Sequence, residues 1–376
     1  MSDMFEVTIL GASGGPVDGN TQSFMIRPAR ARDLNAVCID GGAGLGQIVK
    51  CVLNNVGGEE SLKRDEMRVE SFYENDFESI DLYVDEDLTI EAGFSRGIYD
   101  LSSAGRSNTI QKAGALFHGI GEYYITHAHL DHISGAIINS PLAYGTSEDI
   151  SNDKVFLGLD FTMEALKKHI FNDIIWPNLV RDGTNTINLK SIAERQGYRS
   201  NTIPDWQIYP FKVHHGNKIN SDTEESVLST VYLVSDTVSG KCLVVCGDLE
   251  YRIAPGGDCV PSEIARFLVD NVPPEKLSGI FVECSNTSSI ESDKLYGHLS
   301  PIRLIKMAKK LESYYSDRYK DFDSLKLNII ITHVKKIYAE VDPRLQILEE
   351  LKHHASKVGL TNVRFSMAVE GYTYFL

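Results

Sequence analysis

Short apolar runs, each closed by polar or glycine-rich residues, recur along the chain and predict its architecture. Residues 6–10, 23–26, 36–39, 122–125, 228–234, 243–245, 280–282 and 327–331 have the length and β-branched character of strands. Between some of them, residues 45–53, 162–170, 261–269, 301–314 and 343–353 mix apolar and charged positions near a 3.6-residue period, which predicts helices. Ser300-Pro301 is a good helix start, with serine as cap and proline in the first turn. Strands alternating with helices define an α/β fold. Polar residues follow closely behind four of the strand runs: His127, Asp248, Glu283 and His333. Loops at strand ends, held by a buried sheet, collect functional groups, so these four residues are expected along one sheet edge.

Length allows one large domain, and residues 1–376 are read as a single catalytic unit with insertions at 57–115 and 141–205. The second insertion is expected to help shape the pocket. Residues 59–91 carry thirteen acidic and three basic side chains, which suggests a solvated insertion or mobile loop. The net charge of −15 argues against a nucleic-acid partner, because phosphate binding needs clustered Lys and Arg. No signal-peptide pattern or spanning apolar stretch is evident, so no membrane association is expected. Six scattered cysteines without a CxxC fit buried thiols in a reducing, cytoplasmic compartment. Nothing fixes the oligomeric state, and a homodimer is compatible with it.

The densest chemistry lies in Thr126-His-Ala-His-Leu-Asp-His132. Three imidazoles and a carboxylate within six positions are first-row transition-metal ligands. His127 and His129 can share one ion while Asp131 and His132 turn toward a second, the arrangement of a two-metal hydrolytic site. The block Gly11-Ala-Ser-Gly-Gly15 reads either as a tight connection or as a backbone cradle for phosphate. Asp40, in Ile39-Asp-Gly-Gly42, is expected to orient a ligand histidine.

The run from His127 to Pro141 resembles the signature of class II cyclic-nucleotide phosphodiesterases, within the metallo-β-lactamase superfamily. The blocks Leu10–Pro16, Gly19–Ser23, Asp40–Gly44, His215-Gly216, Gly247-Asp248, Glu283-Cys-Ser285, Tyr296-Gly-His-Leu-Ser300 and Thr332-His-Val-Lys335 stand in that family's order. The resemblance implies an αββα sandwich and two divalent ions, with zinc favoured. It assigns His127, His129 and His215 to one ion, Asp131, His132 and His333 to the other, and Asp248 to both. His215 is preferred to His214 because the family's ligand precedes glycine. By analogy with a related nuclease branch, His298 is a general acid oriented by Glu283; these two and Asp131 are the catalytic candidates. Asn20, Thr21 and Lys335 are candidate substrate contacts. The implied reaction is hydrolysis of cAMP, and of cGMP, to the 5′-monophosphate by in-line attack of hydroxide. The alternatives are a tRNA 3′-processing endonuclease, a lactamase or thioester hydrolase and a non-catalytic binding protein. The first conflicts with the charge, and the last would predict an eroded ligand set.

Overall fold

A computed structural model describes residues 4–55, 62–143, 154–180, 187–217, 225–253, 262–320, 322 and 325–376. The first half of the chain supplies β1 (Phe5–Gly11), β2 (Ser23–Pro28), β3 (Ala36–Ile39), β4 (Arg68–Glu70), β5 (Phe77–Ser79), β6 (Thr89–Ala92), β7 (Ile120–Tyr124), β8 (Lys154–Gly158) and β9 (Ile187–Ser191). The second half supplies β10 (Tyr198–Arg199), β11 (Trp206–Asn217), β12 (Ser226–Asp236), β13 (Cys242–Cys246), β14 (Leu277–Glu283), β15 (Leu327–Thr332), β16 (Val363–Met367) and β17 (Tyr372–Phe375). The helices are α1 (Leu45–Asn55), α2 (Arg96–Ser103), α3 (Thr109–Gly119), α4 (Leu130–Asn139), α5 (Asp160–Ala165), α6 (Ser262–Asn271), α7 (Pro301–Arg318) and α8 (Pro343–Lys357). One sheet has the order β6-β17-β1-β2-β3-β7-β8-β9 and the other β10-β11-β12-β13-β14-β15-β16, while β4 and β5 pair separately.

Strand alternation explains the layering. Val7 and Ile9 of β1, Phe24 and Ile26 of β2, and Val37 and Ile39 of β3 join a core shared with the second sheet. Their neighbours Leu10, Met25, Ala36 and Cys38 face the other way and pack with Ile48, Cys51 and Val52 of α1 and Leu116 and Phe117 of α3. Rings meet across the sheets at Phe5–Trp206 and Phe24–Phe281, both 5.3 Å between centroids. Leu304, Ile305 and Ala308 of α7 and Ile347, Leu348 and Leu351 of α8 join that core from the outside of the second sheet. The result is the expected αββα sandwich.

The described parts of residues 57–115 and 141–205 contribute strands to the sheets. Strand β6 pairs with β17, and β8 and β9 extend the first sheet beyond β7. The reading of residues 59–91 as a solvated or mobile loop is corrected: residues 62–91 bury Met67, Val69, Ile80, Tyr83, Val84, Leu88 and Ile90 in the main core. The acidic side chains sit between these apolar anchors, so net charge concealed a folded segment. Residues 59–61 lie outside the described residues. Buried Arg344 ties this segment to the C-terminal half, donating to Asp342 at 2.8 Å and to Glu70 O at 2.6 Å. Among the described residues, no helix is long and apolar enough to cross a membrane.

Candidate active site

Strands β13, β14 and β15 run parallel, so their C-terminal ends open on one edge and bring Asp248, Glu283 and His333 together. Strand β7 ends just before His127, His129 caps α4, and Asp131 and His132 occupy that helix's first turn. The sixth segment is β11, which carries His215. His127, His129, His215 and Asp248 form one group whose candidate ligand atoms lie within 4.8 Å of one another, and Asp131, His132 and His333 form a second. Asp248 spans both. Its Oδ2 lies 3.4 Å from His215 Nε2 and 3.8 Å from His127 Nε2, while Oδ1 lies 3.2 Å from His333 Nε2 and 3.4 Å from His132 Nε2. Asp131 Oδ2 is 3.1 Å from His333 Nε2. His214, the alternative to His215, is half-buried outside these groups.

The donor set fits metal ions. His127 Nε2 and Asp248 Oδ1 are buried with no hydrogen-bond partner, an arrangement proteins avoid unless something else satisfies the atoms. Burial, reinforced by neighbouring His132, holds His127 far below the usual imidazole range. Burial and His215 lower His129 to about 4. Both rings therefore favour the neutral form, which ligates metal, whereas the Asp248 and Asp40 carboxylates outweigh burial at His132 and raise its pKa. The opposite ring nitrogens are held from behind. His132 Nδ1 donates to Asp40 Oδ2 at 2.7 Å, and His215 Nδ1 donates to Gly297 O at 3.1 Å. Asp40 thus holds His132, a candidate ligand, from behind, and is itself fixed by Gln22 at 3.0 Å and by the Thr126 main chain at 2.8 Å.

His298 stands beside the two groups. Its Nδ1 lies 3.2 Å from Glu283 Oε1 and 3.8 Å from Asp248 Oδ2. Burial alone would lower its pKa, but the Glu283 and Asp248 carboxylates outweigh burial and raise it. Glu283 shows the complement: burial pushes its pKa up, and His298 more than reverses the push. His298 is also close enough to Asp248 and His333 to form a third ligand-like group with them.

The glycine-rich block works as a spacer and not as a phosphate cradle. The N–H groups of Ala12 and Ser13 donate to Asn20 O, that of Gly14 to Val334 O and that of Gly15 to Ser13 Oγ, so none faces a ligand. A Cβ on Gly14 would stand 2.4 Å from His333 Nδ1, so glycine makes room for the imidazole. The substrate candidates separate. Asn20 Nδ2 donates to Glu370 Oε1 at 3.4 Å, and with the amide turned over its oxygen would instead accept from Lys336 Nζ at 2.7 Å. Thr21 is buried with its hydroxyl unpaired. Lys335 is half-exposed, and its positive charge opposes protonation of His298, which places that charge beside the site. Ser285, Gln22 and Thr126 stand inside the motif blocks, but their neutral side chains carry no ligand signal in the sequence.

The chain matches the family described as cAMP phosphodiesterases class-II over residues 37–371. The 3′,5′-cyclic-nucleotide phosphodiesterase 1 of Saccharomyces cerevisiae is 41% identical over 378 aligned residues, which cover 99% of this chain and all of that protein. The crystal structure of unliganded yeast PDE1 superposes over the full length of both chains with a TM-score of 0.90 at 39% identity. The metallo-β-lactamase fold protein YhfI of Bacillus subtilis is similar in fold alone, with a TM-score of 0.50 and 12% identity over 99% of both chains. Fold and site thus define a metallo-β-lactamase-fold protein with a histidine–aspartate cluster suited to metal. The chain belongs to the class-II cAMP phosphodiesterase family.

Proposed function

We propose that this chain hydrolyses 3′,5′-cyclic nucleotides, cAMP and also cGMP, to nucleoside 5′-monophosphates at a centre holding two divalent ions, with zinc the favoured metal. The observation that carries the reading is full-length identity of 41% to a 3′,5′-cyclic-nucleotide phosphodiesterase, joined to a complete set of candidate ligands. In this reading His127, His129 and His215 hold one ion, Asp131, His132 and His333 the other, and Asp248 both. Bound ions of this kind lower the pKa of a coordinated water and offset charge on phosphoryl oxygens.

The chain's own groups supply the rest. The 3′ oxygen leaves as an alkoxide equivalent and needs a proton, which His298 delivers. Glu283 accepts from Nδ1 of His298, which directs Nε2 to the substrate and raises the ring's affinity for a proton. Lys335 offsets phosphate charge from the side of His298. The whole chain acts as one catalytic domain, and the buried free thiols of Cys38, Cys51, Cys242, Cys246 and Cys284 suit a cytoplasmic protein.

The test is incubation of purified protein with cAMP, cGMP and a precursor tRNA, with the products separated by chromatography. The reading expects 5′-AMP and 5′-GMP and an intact tRNA. Cleavage of the tRNA without turnover of either cyclic nucleotide would overturn it in favour of the nuclease.

A further inference from the structure

Ser285 touches every group that links the metal cluster to the acid. Its Oγ donates to Glu283 Oε2 at 2.7 Å and lies 3.0 Å from His333 Nδ1 and 3.3 Å from His298 Nδ1. The residue is buried, and its main chain is pinned at both ends. Its N–H donates to Glu283 Oε2 at 3.1 Å, and its carbonyl accepts from the N–H of Lys335 at 3.3 Å.

A hydroxyl has one proton to give. With that proton on the Glu283 carboxylate, Oγ has only lone pairs to offer His333, so Nδ1 of His333 must carry the hydrogen. That choice leaves Nε2 with its lone pair, and Nε2 is the atom 3.1 Å from Asp131 and 3.2 Å from Asp248. The same carboxylate accepts His298 Nδ1 on its other oxygen, so one glutamate fixes the tautomer of the ligand through serine and of the acid directly.

We infer that Ser285 is a positioning residue that sets His333 as an Nε2 ligand of one of the two ions and joins that ion's site to the His298–Glu283 pair. The inference rests on the dinuclear reading above. His333 needs such support because its backbone is held in the left-handed region at φ 59°, where its ring orientation has no help from regular secondary structure. Without the hydroxyl, the Nδ1 hydrogen of a buried imidazole is left unpaired, and Glu283 loses a donor.

The experiment is metal binding by Ser285→Ala and Ser285→Thr, measured by competition of Zn²⁺ against a chromophoric chelator. Ser285→Ala should weaken one of the two equivalents by roughly 10–100-fold, the usual effect of losing a partner behind a ligand histidine, and leave the other near the wild-type value. Ser285→Thr, which keeps the hydroxyl, should restore the weakened site. Excess Zn²⁺ should return much of the lost cAMP turnover in Ser285→Ala. Two equivalents of wild-type affinity in Ser285→Ala would overturn the inference, as would an equal weakening of both. Thermal unfolding of the metal-free proteins should show all three folded; a Ser285→Ala protein that does not fold shifts the decision to Ser285→Thr, whose failure to keep the wild-type affinities then overturns the inference. A wild-type protein that binds no Zn²⁺ would instead overturn the dinuclear reading itself.

Discussion

Gly14→Ala tests the claim that the glycine-rich block exists to make room for His333. A Cβ built on Gly14 meets His333 Nδ1 at 2.4 Å, Cε1 at 2.6 Å and the His333 carbonyl oxygen at 2.6 Å. Real Cβ contacts essentially never fall below 3.0 Å, so the ring must retreat by about 0.6 Å, and the carbonyl by about 0.4 Å. Neither retreat is free. The N–H of His333 donates to Ala12 O at 2.6 Å, and that of Gly14 donates to Val334 O at 3.2 Å, so the two segments are stitched together on both sides of the clash. Overpacking of this kind costs about 1–3 kcal/mol. The catalytic cost should be of similar size, because a misplacement of about an ångström near the reacting centre is worth on the order of 10²-fold in rate, or about 2.7 kcal/mol, and the ring moves somewhat less than that. The assay is kcat for cAMP at saturating metal, with metal content and urea unfolding measured on the same preparation. Gly19→Ala is the control. It lies in the same segment at φ 83°, where its Cβ meets nothing within 4 Å, so it strains the backbone without touching His333. It should be destabilised yet keep its metal and most of its kcat. Wild-type metal content and turnover in Gly14→Ala would show that His333 does not need the space glycine leaves.

Three further outcomes are expected. His298→Ala should keep its metal and lose roughly 10²–10⁴-fold in kcat on cAMP, while a p-nitrophenyl phosphodiester, whose leaving group departs unprotonated, should largely escape; equal losses on both substrates would exclude the acid role. Asp248→Ala removes a carboxylate that reaches both ligand groups, so elemental analysis should find lowered occupancy and assays lowered turnover; full occupancy with normal turnover would reject the bridge. Arg344→Ala strips the partner from buried Asp342 and should cost about 3–5 kcal/mol in urea unfolding, with a change below about 1 kcal/mol sinking the idea that this pair locks residues 62–91 to the C-terminal half.

What was legible in the sequence follows from how each residue earns its place. Strands β3, β13 and β15 are nearly continuous apolar runs because both faces are covered, and such runs announce themselves. Strand β11 is the longest among the described residues, yet buried positions alternate with half-buried and exposed ones, and Pro210, His214 and His215 interrupt the hydrophobic signal. Strands β16 and β17 are only five and four residues long and find their register through long-range pairing with β15 and β1. In 59–91, acidic residues outnumber the apolar anchors that bury, so composition pointed the wrong way. The ligand candidates were readable because histidine and aspartate bunched behind strand ends have few other reasons to be there. Gly14 was not, since its value is a clash avoided with a residue more than 300 positions away. Ser285 was not, since a serine hydroxyl looks alike wherever it stands.

If the two candidate ligand groups joined by Asp248 hold two ions, the loaded centre should open cyclic nucleotides. A titration of metal-free protein with Zn²⁺, following cAMP turnover and product identity at each addition, decides this. Turnover should rise until two equivalents are bound and then level, with 5′-AMP as the product. Saturation at one equivalent, or two bound equivalents with no conversion of cAMP, would contradict it.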